Sequence, residues 1–341
     1  MKSRLPRLWP NINICELHYS SIKLLSEVDS LNMAKKRDFL TLQEYSEKEI
    51  WGLLEETYRF KHKLIGKEEV RRLEGKNIAL LFQKPSTRTR VSFEVAVNHL
   101  GGHTIYLGWG ESQLGRGETI ADTSRVLSRY VDGLVARVYS HSDLEEMAMF
   151  ASVPVVNALS DLFHPCQVVA DLYTIWEKYG SLKGLKLAYI GDGNNVCNSL
   201  LIGCSKMGLN ISVACPISFE PNSKALEWAR KNAEKSGSIV EVVRDPLEAV
   251  KGANIVYTDT FVSMGDEAER EERMKAFVPT YQVTSKILEK ASKNALFMHC
   301  LPAHRNEEVT DDVIDGPRSI VWDQAENRLH TAKAILAKVI A

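Results

Sequence analysis

No two cysteines of this chain form a CxxC pair. Its six, Cys15, Cys166, Cys197, Cys204, Cys215 and Cys300, are scattered, which excludes a disulfide framework. They read as small buried hydrophobes in a reducing, cytoplasmic setting. No run approaches the roughly 20 apolar residues of a membrane span. Neither charge is in excess: 43 Lys+Arg face 44 Asp+Glu, a net of -1. That balance argues against a broad nucleic-acid footprint. No GxxxxGK[ST] is present, so a Walker nucleotide site is excluded. There is no internal repeat and no low-complexity linker.

What is present points to an enzyme-like α/β chain. At 341 residues it is too long for one ordinary core and suggests two domains. The first 33 residues match no pattern of the remainder. They are basic at first, then acidic at Glu16, Glu27 and Asp29, with no apolar h-region, so they make a poor targeting signal. We read 1–33 as a non-essential extension, or as the product of a start assigned ahead of Met33. Thr41–Lys63 has helical spacing, and Thr41 with Glu44 suggests a capping box. Strands then alternate with helices. Strands are expected at 77–82, 103–108, 133–139 and 153–158, and helices at 87–100, 118–130 and 142–150. A helix over 165–179 ends at Gly180. A second alternation places strands at 186–193, 211–216, 239–243, 254–259 and 294–302, and a last one at 319–324. Helices fall at 194–207 and 222–236, and a final helix starts at 325. The expectation is an α/β fold of two domains, 34–180 and 181–322, each a parallel sheet flanked by helices. Residues 323–341 would form a helix packing back on the first domain. Ligands of such sheets sit beyond strand carboxyl ends, so the polar clusters found there should converge on an interdomain cleft.

The first cluster is FQKPSTRTR, Phe82 to Arg90. Ser86, Thr87 and Thr89 offer hydroxyls at a helix start, where open N–H groups and the dipole favour an anion. Arg88 can grip two phosphate oxygens at once. A surface N-cap is the alternative, but three hydroxyls with an arginine favour an anion site. GDGNN (191–195) sits where a dinucleotide loop would, but lacks GxGxxG and has no acidic residue near 216 to hold a ribose. Asn195 could instead orient a small polar substrate. His164-Pro165-Cys166-Gln167 opens a helix with Pro at N1. Taken alone it is a helix start; functionally, His164 and Gln167 could bond a carbonyl or amide. Asp259 and Ser263, in DTFVSMG, suit a cationic amine. The following DEAEREERMKAF reads as a charged helix face. His299-Cys300-Leu301-Pro302 ends a strand. Its ligands are too adjacent for ordinary zinc spacing, so no metal is expected. Cys300 could accept a proton or contact substrate.

The ordered set FQKPSTRTR, SQLGRGE (112–118), ARVY (136–139), HPCQ, GDGNN, DTFVSMG and HCLPAHR resembles the ornithine carbamoyltransferases. The likeness runs from about residue 40 to the end. STRTR and HPCQ look like the carbamoyl-phosphate signature of transcarbamoylases generally. DTFVSMG with HCLP looks specific to the ornithine branch. The resemblance implies two domains that close on substrate, no cofactor, and transfer of a carbamoyl group to the δ-amine of L-ornithine, giving citrulline and phosphate. It implies that Ser86, Thr87, Arg88 and Thr89 hold the phosphate. Arg137, His164, Pro165, Cys166, Gln167, Cys300, Leu301 and Arg328 would surround carbamoyl phosphate. Gln113 would reach the ligand from a neighbouring subunit, so the assembly would be a trimer or a multiple of it. Asn195, Asp259, Ser263 and Met264 would hold ornithine. Arg137, His164 and Cys300 would act at the reacting centre, with Cys300 or the substrate's own phosphate taking the proton. Putrescine is the alternative acceptor, and citrulline breakdown the alternative direction to arginine synthesis.

Overall fold

The computed structural model describes residues 36–66, 70–263, 265 and 267–341. The extension 1–33 and Met264 lie outside the described residues. The first sheet contains β1 (Asn77–Phe82), β2 (His103–Gly108), β3 (Gly133–Arg137) and β4 (Val155–Leu159), all parallel, in the order β2-β1-β3-β4. The second contains β5 (Lys186–Ile190), β6 (Asn210–Ala214), β7 (Val240–Val243), β8 (Ile255–Thr258) and β9 (Leu296–His299). These are also parallel, in the order β7-β6-β5-β8-β9. β3 and β5 are buried along nearly their whole length, as expected of strands covered on both faces. β2, at one edge, alternates toward solvent.

The helices of the first half are α1 (Glu47–Lys61), α2 (Thr87–His99), α3 (Ile120–Leu127), α4 (His141–Phe150) and α5 (Pro165–Tyr179). α6 (Asn195–Lys206), α7 (Ser223–Ser236), α8 (Pro246–Val250) and α9 (Arg270–Phe277) follow. α10 (Ser285–Leu288), α11 (Asp311–Ile314) and α12 (Val321–Val339) complete the order. Both sheets reverse their strand order in the middle, at β1/β3 and at β5/β8. Such switch points open a crevice at the carboxyl ends of the strands. A single hydrophobic core contains Ile78 and Val135 of the first sheet together with Leu187 and Tyr257 of the second. α5 and α6 carry that junction. A Cβ at Gly203 of α6 would lie 2.7 Å from Val168 Cγ1 of α5, so glycine sets their close approach. α12 packs on α1, α2 and α5, returning the end of the chain to the first half.

Two local expectations are corrected. Thr41 does bond Glu44, at 2.6 Å through its hydroxyl, but Leu42 and Tyr45 are drawn into the core there. The helix starts at Glu47, after a capping box built by Ser46 and Glu49. Residues 319–324 are not a strand. Ser319 makes an isolated bridge to Phe297, and α12 begins at Val321. Its buried face at Val321, Gln324, Arg328, Thr331 and Ile335 follows the 3.6 period, which outweighs the β-branched IVW run.

Candidate active site

A cleft of about 680 Å³ opens over the carboxyl ends of β1, β3, β4, β5, β8 and β9. Its wall includes Ser86, Thr87, Arg88, Thr89, Arg137, His164, Gln167, Asn195, Asp259, Ser263, Cys300, Leu301 and Arg328. Residues separated by up to 242 positions therefore meet because two switch points face one opening.

On the first-half side the wall is cationic and under-bonded. Ser86 caps α2, its Oγ accepting from Thr89 N at 3.3 Å, which leaves the rest of the first turn open to a ligand. Arg137 is 4% exposed. Burial pulls its guanidinium down to about 10, helped by the charges of Arg328 and Arg88. Burial also lowers Arg328, whose Nη1 donates to Gln167 Oε1 at 2.5 Å and Nη2 to Thr89 Oγ1 at 3.4 Å. His164 is held well below the usual histidine range by burial and then by Arg328 and Arg137. It is neutral at pH 7. Arg137 Nε and His164 Nδ1 are buried without a hydrogen-bond partner. Buried polar atoms are rarely left so, and an oxyanion in the cleft would serve Arg137 directly. Lys84, absent from the sequence-based set, is buried against the Tyr139 ring at 4.1 Å and also lines the cleft.

The second-half side is acidic and densely bonded. Gly193 lets the 191–195 loop press against the chain at 220–221; a Cβ there would lie 2.2 Å from Pro221 N. Asp192 pairs with Arg273 of α9 at 2.9 Å. Asn194 caps α6 and donates to Asp259 Oδ2 at 2.8 Å. Asn195 Nδ2 donates to Ser160 O at 2.5 Å, tying the second half to the loop after β4. Cys300 Sγ donates to Asp259 Oδ1 at 3.0 Å. Burial, and then the Asp259 charge, pushes that thiol well above its ordinary range. A thiol so placed is a donor at neutral pH and a poor base. Leu301 holds φ +58°, an uncommon conformation for a residue with a side chain. Its N–H is anchored on His299 Nδ1 at 2.9 Å, and His299 Nε2 faces Glu308 Oε1 at 3.2 Å.

A buried network joins the halves. Asp171 of α5 accepts from Gln167 at 2.8 Å, Gln324 at 2.7 Å and Tyr257 at 3.2 Å. Gln324 Oε1 in turn accepts from His299 N at 3.0 Å. Burial raises Asp171 to about 7. Among the described residues, two groups could present metal ligands: Asp259, His299 and Cys300, and His304, Glu307 and Glu308. In the first, the Cys300 thiol is bound to Asp259 and His299 Nδ1 is taken by Leu301. In the second, Glu307 pairs with Arg270 and Glu308 with His299. A metal would have to break these bonds.

Three of the described sequence-based residues are not on the cleft wall. Pro165 and Cys166 turn into the protein: Cys166 Sγ donates to Asn157 O at 3.2 Å, and burial lifts its thiol to about 12. Gln113 is exposed in the turns after β2. Ser160, Asp192, Asn194, Arg270 and His304 line the cleft and were missed. Most lie within the strand-end windows already marked; the sequence showed the windows but not which side chains turn inward.

Two family models cover the chain. That of the aspartate/ornithine carbamoyltransferase carbamoyl-P binding domain matches residues 37–177, and that of the Asp/Orn binding domain matches 183–339. A protein of Pyrococcus horikoshii named ornithine carbamoyltransferase is 58% identical over 307 residues, covering 90% of this chain and 96% of its own. One of Pyrococcus furiosus, named ornithine carbamoyltransferase, anabolic, is 58% identical over 305 residues, covering 89% and 96%. A solved structure of ornithine carbamoyltransferase from Pyrococcus furiosus is 57% identical and superposes with a TM-score of 0.85 over 89% of this chain and 97% of that one. Both sheets, the facing switch points and the matched sequence thus point the same way, and the chain belongs to the aspartate/ornithine carbamoyltransferase family.

Proposed function

We infer that this protein is an ornithine carbamoyltransferase. It transfers the carbamoyl group of carbamoyl phosphate to the δ-amine of L-ornithine, giving citrulline and phosphate. The observation that carries this reading is the polarity of one cleft: a buried arginine cradle faces an aspartate-centred loop. The first suits a phosphate and a developing oxyanion, the second an amino acid. We propose that Ser86, Thr87, Arg88, Thr89, Gln167 and Arg328 hold carbamoyl phosphate, and that Asn195, Asp259, Ser263 and Met264 hold ornithine. Arg137 and neutral His164 would steady the oxygen charge of the tetrahedral intermediate. An alkylammonium titrates near ~10.4 and must lose a proton before attack. The protonated Cys300 thiol favours the substrate's own phosphate as acceptor.

Residues 34–180 would form the carbamoyl-phosphate domain and 181–322 the ornithine domain, with 323–341 returning to the first. The direction we propose is arginine synthesis, in the cytoplasm. No described helix is long and apolar enough to cross a membrane, and the described cysteines are free thiols. Gln113, exposed in its own chain, would complete the cleft of a second copy in a trimer. Mixing inactive Gln113→Ala and Arg88→Ala chains should restore activity if one site draws on two chains. Citrulline formation from ornithine, compared with carbamoyl transfer to putrescine, tests the acceptor. Preference for putrescine would refute the assignment.

A further inference from the structure

The residue that the sequence passed over at GDGNN is the first of its two asparagines. Asn194 sits at the N-cap of α6 and its side-chain oxygen is fully committed. Oδ1 accepts from Val196 N at 3.0 Å, Cys197 N at 3.1 Å and the Tyr189 hydroxyl at 3.3 Å. The amide therefore cannot be turned over without aiming its NH2 at two N–H donors. Helix capping alone thus dictates that an NH2 group faces Asp259, and it meets Oδ2 at 2.8 Å.

The other carboxylate oxygen of Asp259 is fixed as well. Oδ1 accepts from Thr260 N at 2.8 Å and from Cys300 Sγ at 3.0 Å. A carboxylate has about four lone-pair sites. Three are filled by donors from the β5–α6 corner, the β8 end and the β9 end. Asp259 is 6% exposed and still lines the cleft, so the remaining site is the one that can face a ligand.

We propose that Asn194 is a positioning residue for the amine-bearing substrate: by capping α6 it locks the carboxylate plane of Asp259 and turns a single acceptor site into the cleft. The proposal rests on the reading of Asp259 as the ornithine contact. It makes the start of α6 part of acceptor recognition. A substrate ammonium at Asp259 would be placed through the cap of α6, beside the Asn195 proposed to hold the same substrate. Selectivity for the amino-acid end would then be lost separately from the hold on carbamoyl phosphate, which draws on the other side of the cleft.

Asn194→Asp and Asn194→Ser test this, since Asp and Ser are both good N-caps and neither donates an amide N–H to Asp259. Three quantities are measured on each full-length variant: the melting temperature, the KM for ornithine and the binding of carbamoyl phosphate by calorimetry. The expected result for Asn194→Asp, which sets a carboxylate against Asp259, is a KM for ornithine raised tenfold or more. Carbamoyl-phosphate affinity should stay within twofold. Asn194→Ser should raise the KM less, with the melting temperature nearly kept. A merely structural cap, which Asp and Ser can both supply, predicts an unchanged KM whatever the melting temperature does, and that pattern overturns the proposal. So does a parallel loss of affinity for both substrates. Wild-type protein is assayed alongside: if it makes no citrulline, the functional reading itself falls, and the amine contact with it. If it is active and both variants keep their KM, the proposal alone fails.

Discussion

The two strand-to-helix corners that face each other across the cleft, 83–90 and 191–195, are built alike and bonded oppositely. Each leaves the carboxyl end of a central parallel strand and starts a helix with a capping side chain. Around the first, Arg137 Nε and His164 Nδ1 have no partner, and buried arginines depress one another. Around the second, Asp192, Asn194, Asn195 and Asp259 are all engaged. On the proposed reading, one corner would gain bonds when an anion arrives, and the other would present a charge already held in place, so that its selectivity would come from orientation rather than from unmet demand.

The comparison breaks most sharply at Arg88. Arg88→Ala should cost about 2–5 kcal/mol of carbamoyl-phosphate affinity if the charge pair it makes is buried; calorimetry that shows no loss would remove the cradle. Next in size is Asp171, which belongs to neither corner and ties α5 to β8 and α12. Its folded value, raised from 3.8 to about 7, means that the folded state binds the proton more tightly than the unfolded one. The associated stability is full below pH 4 and is lost as the pH climbs through about 7. At 1.36 kcal/mol per unit, the loss on going to pH 8 is on the order of 4 kcal/mol. Asp171→Asn should flatten that dependence in denaturant titrations at pH 5 and pH 8. Parallel curves for variant and wild type would contradict it. Cys300→Ser should lower kcat roughly tenfold, about 1.4 kcal/mol, and leave the pH–rate profile in place, because the thiol is already protonated. A displaced profile would return Cys300 to the proton-acceptor role. Smallest is Ser46→Ala, far from both corners. Losing the α1 cap should cost about 1 kcal/mol in a denaturant melt with kcat and KM intact.

How much could be read beforehand followed the range of the interactions. β1, β2 and α5 begin and end where periodicity, Pro165 and Gly180 place them. The cationic corner was readable because its demand is local: hydroxyls, an arginine and a helix start within a few residues. Asp171 and Arg273 were not. Their partners are up to 153 residues away, and a buried aspartate on an apolar helix face carries no local mark. Asn194 was visible in GDGNN but was given no role of its own. Only the asparagine after it drew attention, as a ligand group. The strand expected at 319–324 failed for the reverse reason, since three apolar residues spoke louder than a helical period that continues for nineteen.

Arg328 belongs to α12, the last helix, yet its guanidinium bonds Thr89 and Gln167 of the first half. A ribosome delivers the first sheet and its corner loop more than 150 residues before this cation. The first corner therefore lacks one of its walls until the last helix of the chain has been made. On the proposed reading, the hold on the phosphate would be complete only once that closing helix has packed back on the first half.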